Sequence, residues 1–442
     1  MSPATPLIFT IPPEISEHAL TFLHPIDVAA FAQVSRAGRA LVYGASDHYL
    51  WRQLFLALFD DPRKSLKGRS AHPAYNWKGE LQRRIRSELA ALNAEQRPDE
   101  QIAAVETFIS AILDAPPVQP TIPYGESASL RFVHRILRDS GILSAPGAPE
   151  KIGAQIIGRL RAYLALSLDS KCSKDITPFL RDIRIKSRCY VYDLRNYRRD
   201  NEFGPFQYGR EVNWAHVEAI VNVIQMNLGE LDGVWMDTRP PVGLEATRGY
   251  SAPGASKRAP DDWACVEGTW RRYVSFMDYR DLFAFNYSSN SHGTRDPTFF
   301  EDCNFQEATR LIELDLHLIP ASEIPRNASF LVRSNSKSKS AYYPPLYFTG
   351  TSRGVHGNES QINGAVSMGG DGIIRWRFAS MADGQSQWSS EGIQLGNVGC
   401  AAGVVGSWTG AMHDHGDPVG PFWLWKVPEG HPSHVHEPHW MF

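Results

Sequence analysis

The sequence predicts an α+β chain: an N-terminal helical bundle and helical connector, then an antiparallel β-barrel-like domain with an associated helix. Three observations lead there. Up to about residue 178, apolar residues recur at three and four positions, the helical period. Beyond Phe179 aromatic and glycine content rises and the apolar period shifts toward two, the period of a strand. Six or more short segments there are set off by Gly, Pro, Asn and Asp, a punctuation that suits an antiparallel barrel or sandwich.

The first helices open at Pro13-Glu14, with apolar residues at Ile15, Ala19, Leu20 and Leu23. A second start follows at His24-Pro25-Ile26-Asp27 and leads into Val28, Phe31 and Val34, and Leu50-Trp51 precedes Leu54 and Phe55. Pro13 pre-sets its backbone for a first helical turn, Glu14 suits the positive end of the helix dipole, and Asp27 can cap or begin the next helix. A bundle this small has too little interior to hide all of Ile15, Leu20, Leu23, Ile26, Phe31 and Val34, so some apolar area is expected to stay exposed.

A Pro-, Lys- and Arg-containing loop from Asp61 to Pro73 comes next, and Asn76-Trp77-Lys78 leads into the helical ELQRRIRSELAAL. Ile102, Val105, Phe108, Ile109 and Ile112 mark another helix after Pro98-Asp99, and SLRFVHRILRDSGIL puts Phe132, Ile136 and Leu137 on one side of a further one. The Pro-rich DAPPVQPTIPYGE between them reads as a loop within a domain. One more helix carries Ile156, Ile157, Leu160 and Leu164.

In the second half LIELDLHLI alternates Ile312, Leu314, Leu316 and Leu318 with Glu313, Asp315 and His317, and GIIRWRF sets Ile374, Trp376 and Phe378 against Arg375 and Arg377. WRRYVSFMDYRDLFAFN, PPLYFTG, QWSSEGIQLG, AAGVVGSWTG and PFWLWKV also read as strands. VNWAHVEAIVNVIQMNL reads as a helix that plugs or flanks the sheet. The run from Thr238 to Asp261 and the serine-rich RSNSKSKS at 333–340 are expected to be mobile surface loops.

At 442 residues the chain has room for two or three domains. Its net charge is -3, from 45 basic and 48 acidic residues, which implies neither a polyanionic nor a polycationic partner, so nucleic acid is not expected. Cys172, Cys189, Cys265, Cys303 and Cys400 are too scattered for a zinc knuckle or a disulfide framework and fit reduced thiols. MSPATPLIFTIPPE lacks a basic n-region, and no apolar run approaches a membrane span. A soluble cytoplasmic or nuclear protein is expected, for which Asn327-Ala328-Ser329 has no meaning as a glycosylation site.

The opening segment resembles an F-box. That family's helical bundle opens with Leu-Pro-x-Glu-Ile or a near variant, followed by a leucine, an Asp-Leu start, a Val-Ser-Lys or Val-Cys-Arg element and a late Leu-Trp. Here these fall on Ile11-Pro12-Pro13-Glu14-Ile15, Leu20 and Leu23, Asp27-Val28, Val34-Ser35-Arg36 and Leu50-Trp51, with Asn76-Trp77-Lys78 similar to the end of many such segments. The resemblance implies docking on the Skp1 adaptor of a cullin-RING ubiquitin ligase, with Pro13, Ile15, Leu20, Leu23, Ile26 and Val28 as contacts. The alternative is that these residues are core of an all-helical domain.

The second half is similar to the β-barrel domain of F-box proteins named for cyclin D1 binding. The matching elements are Val266-Glu267-Gly268-Thr269-Trp270, Phe305-Gln306-Glu307-Ala308, Asp371 to Trp376, Glu391 to Gly396, Gly403 to Trp408 and Gly420-Pro421-Phe422-Trp423. The tail Trp408-Thr409, His413, Asp417-Pro418 and Gly420 to Trp423 resembles predicted F-box proteins of mushroom-forming fungi. The implied organisation is an F-box bundle at 8–60, a helical connector at 61–178, a substrate-recognition barrel at 179–428 and a flexible His- and Pro-rich tail at 429–442. An unknown protein client would meet Arg375, Glu391, Trp388, Gln394 and Trp376, which can combine stacking with charge-assisted hydrogen bonds. Arg375 also fits a solvated strand residue, and Trp376 also fits the barrel core.

No catalytic apparatus is read from the chain. His413-x-His415 and His434-x-His436 could pair imidazoles on one side of an extended segment, but nothing else supports a metal, and solvated histidines are the simpler reading. Cys400, His413 and Asp417 lack a nucleophile elbow, Glu313 and Asp315 read as a solvated strand face, and no phosphate-cradling motif occurs. The expected function is a non-catalytic, cofactor-free substrate receptor. The alternative is a protein- or carbohydrate-binding β-domain with an F-box-like bundle used only for packing.

Overall fold

A computed structural model describes residues 7–45, 47–66, 75–93, 98–119, 125–143, 151–168, 178–208, 211–231, 237–287, 295–302, 305–324, 342–354, 357–382 and 384–435. The loop at 333–340, Asn327-Ala328-Ser329, Cys172, Cys303, His436 and His439 lie outside these residues. The chain is α+β, with a helical N-terminal region and an eight-stranded antiparallel closed barrel. It divides into two compact units, Met1–Pro117 with Gly125–Pro146, and Val118–Tyr124 with Gly147–Phe442.

The first unit holds α1 (Pro13–Leu20), α2 (Pro25–Val34), α3 (Arg36–Tyr43), α4 (Tyr49–Leu58), α5 (Trp77–Leu92), α6 (Pro98–Leu113) and α7 (Ala128–Asp139). Each start has a local cause. Proline occupies the first turn of α1 and α2, where no backbone donor is lost. The imidazole of His24, rather than Asp27, caps α2 by accepting from the Ile26 amide at 3.3 Å. Ser35 caps α3, Asn76 caps α5 and Ser127 caps α7 in the same manner. The core forms where Phe55 meets Phe59 and Trp77, and Phe59 meets Phe132 with ring centroids 4.6 Å apart. Arg84 lies over both Phe55 and Phe59 and donates to Glu80 at 2.9 Å, so its buried charge is compensated.

The second unit contains α8 (Lys151–Leu164), α9 (Pro178–Val191), α10 (Trp214–Glu230) and α11 (Tyr279–Tyr287). Its strands are β1 (Gly268–Met277), β2 (Glu307–Ile319), β3 (Leu346–Gly354), β4 (Glu359–Met368), β5 (Ile374–Ala382), β6 (Gln385–Gln394), β7 (Val404–Gly410) and β8 (Val419–Lys426). Each strand pairs with the next, and β1 closes the ring on β8 through registers such as Trp270↔Lys426 and Val274↔Phe422. Trp270, Phe348, Trp376, Phe378 and Phe422 meet inside. The helix expected to plug or flank the sheet packs on β1, β7 and β8, and Asn227 of that helix, α10, donates to Ser275 at 3.1 Å.

Several expectations are corrected. The 61–178 connector is not one body: α5–α7 belong to the first unit and α8 to the second. The Pro-rich DAPPVQPTIPYGE is a boundary between units, because Val118–Tyr124 counts with the second, where the Val118 amide donates to Gly249. The segment WRRYVSFMDYRDLFAFN leaves the strand after Met277 and forms α11 from Tyr279, while α9 and β4 went unread. The run from Thr238 to Asp261 is not a surface loop: Thr238 and Thr247 are buried, and backbone bonds tie Thr247, Tyr250 and Ala252 to residues 397–399. The tail is not free up to Val435, because Glu313 accepts from Ser433 and from the His434 amide, and Thr238 bonds the rings of His431 and His434. Glu313 is therefore covered rather than solvated.

Two expected outcomes follow from this packing. A Cβ at Gly364 would lie 2.3 Å from the Phe348 ring and 2.7 Å from the Arg377 carbonyl oxygen, so Gly364→Ala should cost about 1–3 kcal/mol in urea unfolding. Burial holds the His216 imidazole, bonded to Tyr197, down at about 3 against an ordinary 6.5. Below pH 6.5 the unfolded state binds the extra proton, so this contribution to stability is complete above pH 6.5 and falls by about 1.4 kcal/mol per unit toward pH 3. Urea midpoints at pH 6.5 and 4.5 should show a smaller difference in His216→Gln than in wild type.

Candidate docking surface

The corner between α1 and α2 collects apolar side chains that the bundle does not bury. The last turn of α1 tightens, with Phe22 and Leu23 amides bonded to the Ala19 and Leu20 carbonyls, and Pro25 then starts α2. Ile15 is 56% exposed, Phe22 77%, Leu23 43% and Ile26 42%, and Pro13 is exposed beside them. Ile15, Ala19 and Phe22 are spaced to share one side of the helical turn. Inward, Leu20 is 2% exposed, Val28 is fully buried, and the Ser16 hydroxyl donates to the Ile8 carbonyl. Leu20 and Val28 are thus bundle core, which corrects their reading as contacts. Phe22 and Val34, 79% exposed, belong to the exposed set instead. Acidic groups rim the corner, where partial burial and the charges of Asp47 and Glu14 push the Glu17 carboxyl up.

The five client-contact candidates do not converge. Strand alternation divides them. Trp376 and Gln394 face the barrel interior, where the indole N–H donates to the Gln394 amide oxygen at 3.3 Å and both are buried. Trp388, 39% exposed, stands edge-on to Trp408 at 5.2 Å. Arg375 and Glu391 point outward, where other side chains already engage them. Arg375 is spent on Asp371 at 2.7 Å and lies over the Phe206 ring, and its charge holds the Asp371 carboxyl low against the opposing effect of burial. Glu391 pairs across the strand with Arg377 at 2.9 Å, and Arg377 also pairs with Glu202. The chain at 202–206 covers this outer face: a Cβ at Gly204 would come within 2.7 Å of the Glu391 Cβ.

An aromatic stripe that sequence reasoning missed does stand open. Tyr279, Phe283 and Tyr287 on α11 are all exposed, as is Met412 in the β7–β8 turn, and Tyr287 lies 5.8 Å from the His415 ring of that turn. The Phe276 ring lies 6.4 Å from Trp408, linking the end of β1 to the Trp388 pair. The four-residue spacing of Tyr279, Phe283 and Tyr287 was the available signal, masked by their continuity with β1. Cys400, His413 and Asp417 do not form a nucleophilic triad. Cys400, whose thiol is pushed up to about 12 by burial, sits in the β6–β7 connection, whereas His413, stacked on Phe203, sits in the β7–β8 connection at the other end of the barrel.

Comparison with protein-family models, curated proteins and solved structures finds no match for the chain.

Core and surface roles at the α1–α2 corner separate in unfolding experiments. Leu20→Ala should lose about 2–5 kcal/mol of stability, whereas Leu23→Ser and Ile26→Ser should stay within about 0.5 kcal/mol of wild type in urea titrations.

Proposed function

We propose that the chain is a non-catalytic substrate-receptor subunit of an SCF (Skp1-cullin-F-box) ubiquitin ligase. Its bundle docks on Skp1 and its β-domain recruits a protein client. The observation that supports this reading is the exposed apolar corner formed by Pro13, Ile15, Phe22, Leu23 and Ile26, on the segment that carries the F-box resemblance. Large contiguous apolar groups are left in water at a cost, and their commonest use is a protein interface. On the β-domain the open aromatic stripe of α11, with Trp388, is the better client surface, since Arg375 and Glu391 are already paired. The receptor supplies no bond-making group of its own. It raises the effective concentration of a client lysine near the ubiquitin-charged enzyme.

The reading in which the bundle serves only for packing does not account for four large apolar side chains, Ile15, Phe22, Leu23 and Ile26, left 42–77% exposed at one corner. Capture on immobilised Skp1 tests the proposal. Wild type should bind, and the combined Ile15→Asp, Leu23→Asp and Ile26→Asp variant should lose at least about 100-fold in affinity, since each buried side chain contributes about 1.5–3 kcal/mol. A folded wild-type chain without Skp1 affinity would sink the proposal.

A further inference from the structure

Among the described residues six arginines are buried, and five of them face a carboxylate. Arg84 meets Glu80 at 2.9 Å, Arg188 meets Glu307 at 2.8 Å, Arg248 meets Glu245 at 2.9 Å, Arg271 meets Glu313 at 3.7 Å and Arg377 meets Glu391 at 2.9 Å. Arg272 is the sixth, and no described carboxylate reaches it.

Its position follows from strand alternation. Arg272 lies on β1 between Trp270 and Val274, pairs with Ile312 and Leu424, and points into the barrel. Its guanidinium lies 5.0 Å from the Phe378 ring centroid and 4.5 Å from that of Phe422. One Nη donates to the Ser390 hydroxyl at 2.8 Å, and Nε–H has no acceptor. The residue keeps 6% of its surface accessible. Burial pushes its pKa down to about 9, so it is still a cation at neutral pH. Two aromatic faces offset only part of the several kcal/mol that burying such a charge costs.

We propose that Arg272 anchors the carboxylate of a small, apolar monocarboxylic acid bound inside the barrel. The guanidinium fork matches a carboxylate in shape and presents unused donors to it. Among the described residues no second basic group acts on Arg272, and a single cation is neutralised by one negative charge, which favours a monocarboxylate over a phosphate. The flanking residues Ile312, Leu424, Phe378 and Phe422 suit an apolar body. Enclosure within the strands suits a free small molecule rather than a chain segment.

The test is calorimetric titration of the full chain at pH 7.5 with propanoate, octanoate and benzoate, using octanol and benzyl alcohol as uncharged controls. At least one carboxylate should bind wild type saturably and raise its Tm, at least ten times more tightly than the matching alcohol. Arg272→Met, which replaces an uncompensated buried charge with an apolar side chain of similar length, should fold and lose that binding at least 30-fold. Ser390→Ala should weaken it less. The proposal is overturned if none of the three carboxylates binds wild type, if acid and alcohol bind alike, or if folded Arg272→Met binds as wild type does. It is also overturned if only a peptide with a free C-terminal carboxylate binds, for then the cation serves a macromolecular client.

Discussion

Closure of the sheet between β1 and β8 is the constraint on which the second unit depends. A row of pairs from Trp270↔Lys426 to Val274↔Phe422 removes both sheet edges and forces alternate residues of all eight strands into one interior. Once the ring is closed, β7, β8, most of β1, the middle of β5 and the second half of β6 are buried on the outside as well. Trp423 and Trp425 of β8 face outward yet are buried, with the Trp423 indole donating to the Ala402 carbonyl and Trp425 stacked on Tyr273. The α10 helix, the run from Thr238 to Asp261 and the segment at 431–435 are held in place around that outer surface.

Charge pairs fasten that wrapping. Glu307 of β2 holds Arg188 and the Tyr192 hydroxyl, Glu313 holds Arg271 and the tail, and Glu391 with Arg377 meets Glu202. Each of these joins a strand to a distant stretch of chain, and each sets an outer arginine beside a carboxylate that compensates its charge. The interior differs in kind: its polar groups are few, and Arg272 stands among rings with a single hydroxyl acceptor.

The first unit answers a different limit. Its interior is organised by Phe55, Phe59, Trp77 and Phe132, and α1 and α2 contribute only Leu20, Val28 and Ala32 as buried apolar residues. The remaining apolar residues at the α1–α2 corner stay in water. Small bundles expose such residues because surface grows relative to interior as size falls. This corner and the α11 stripe therefore arise differently: one from a bundle with little interior, the other from a helix lying at the end of a closed ring.

Period and punctuation in the sequence were enough to determine the class of fold, most of its helices and seven of its strands, because β2 and β5 alternate with solvent-facing or charged residues and prolines mark helix starts. They also determined that Ile15, Leu23 and Ile26 exceed what a small bundle can hide. Tertiary structure alone decided which apolar residues of that segment go inside, since Leu20 and Leu23 differ only by rotation around the helix end. It alone decided that Arg375 and Glu391 are covered, because the chain at 202–206 that covers them is far away in sequence. It alone distinguished Arg272 from its neighbour Arg271: two adjacent arginines on one strand face opposite sides of the sheet, one toward Glu313 and one into the barrel. Local spacing encodes the side of an element on which a residue lies, and only the closed fold determines what lies on that side.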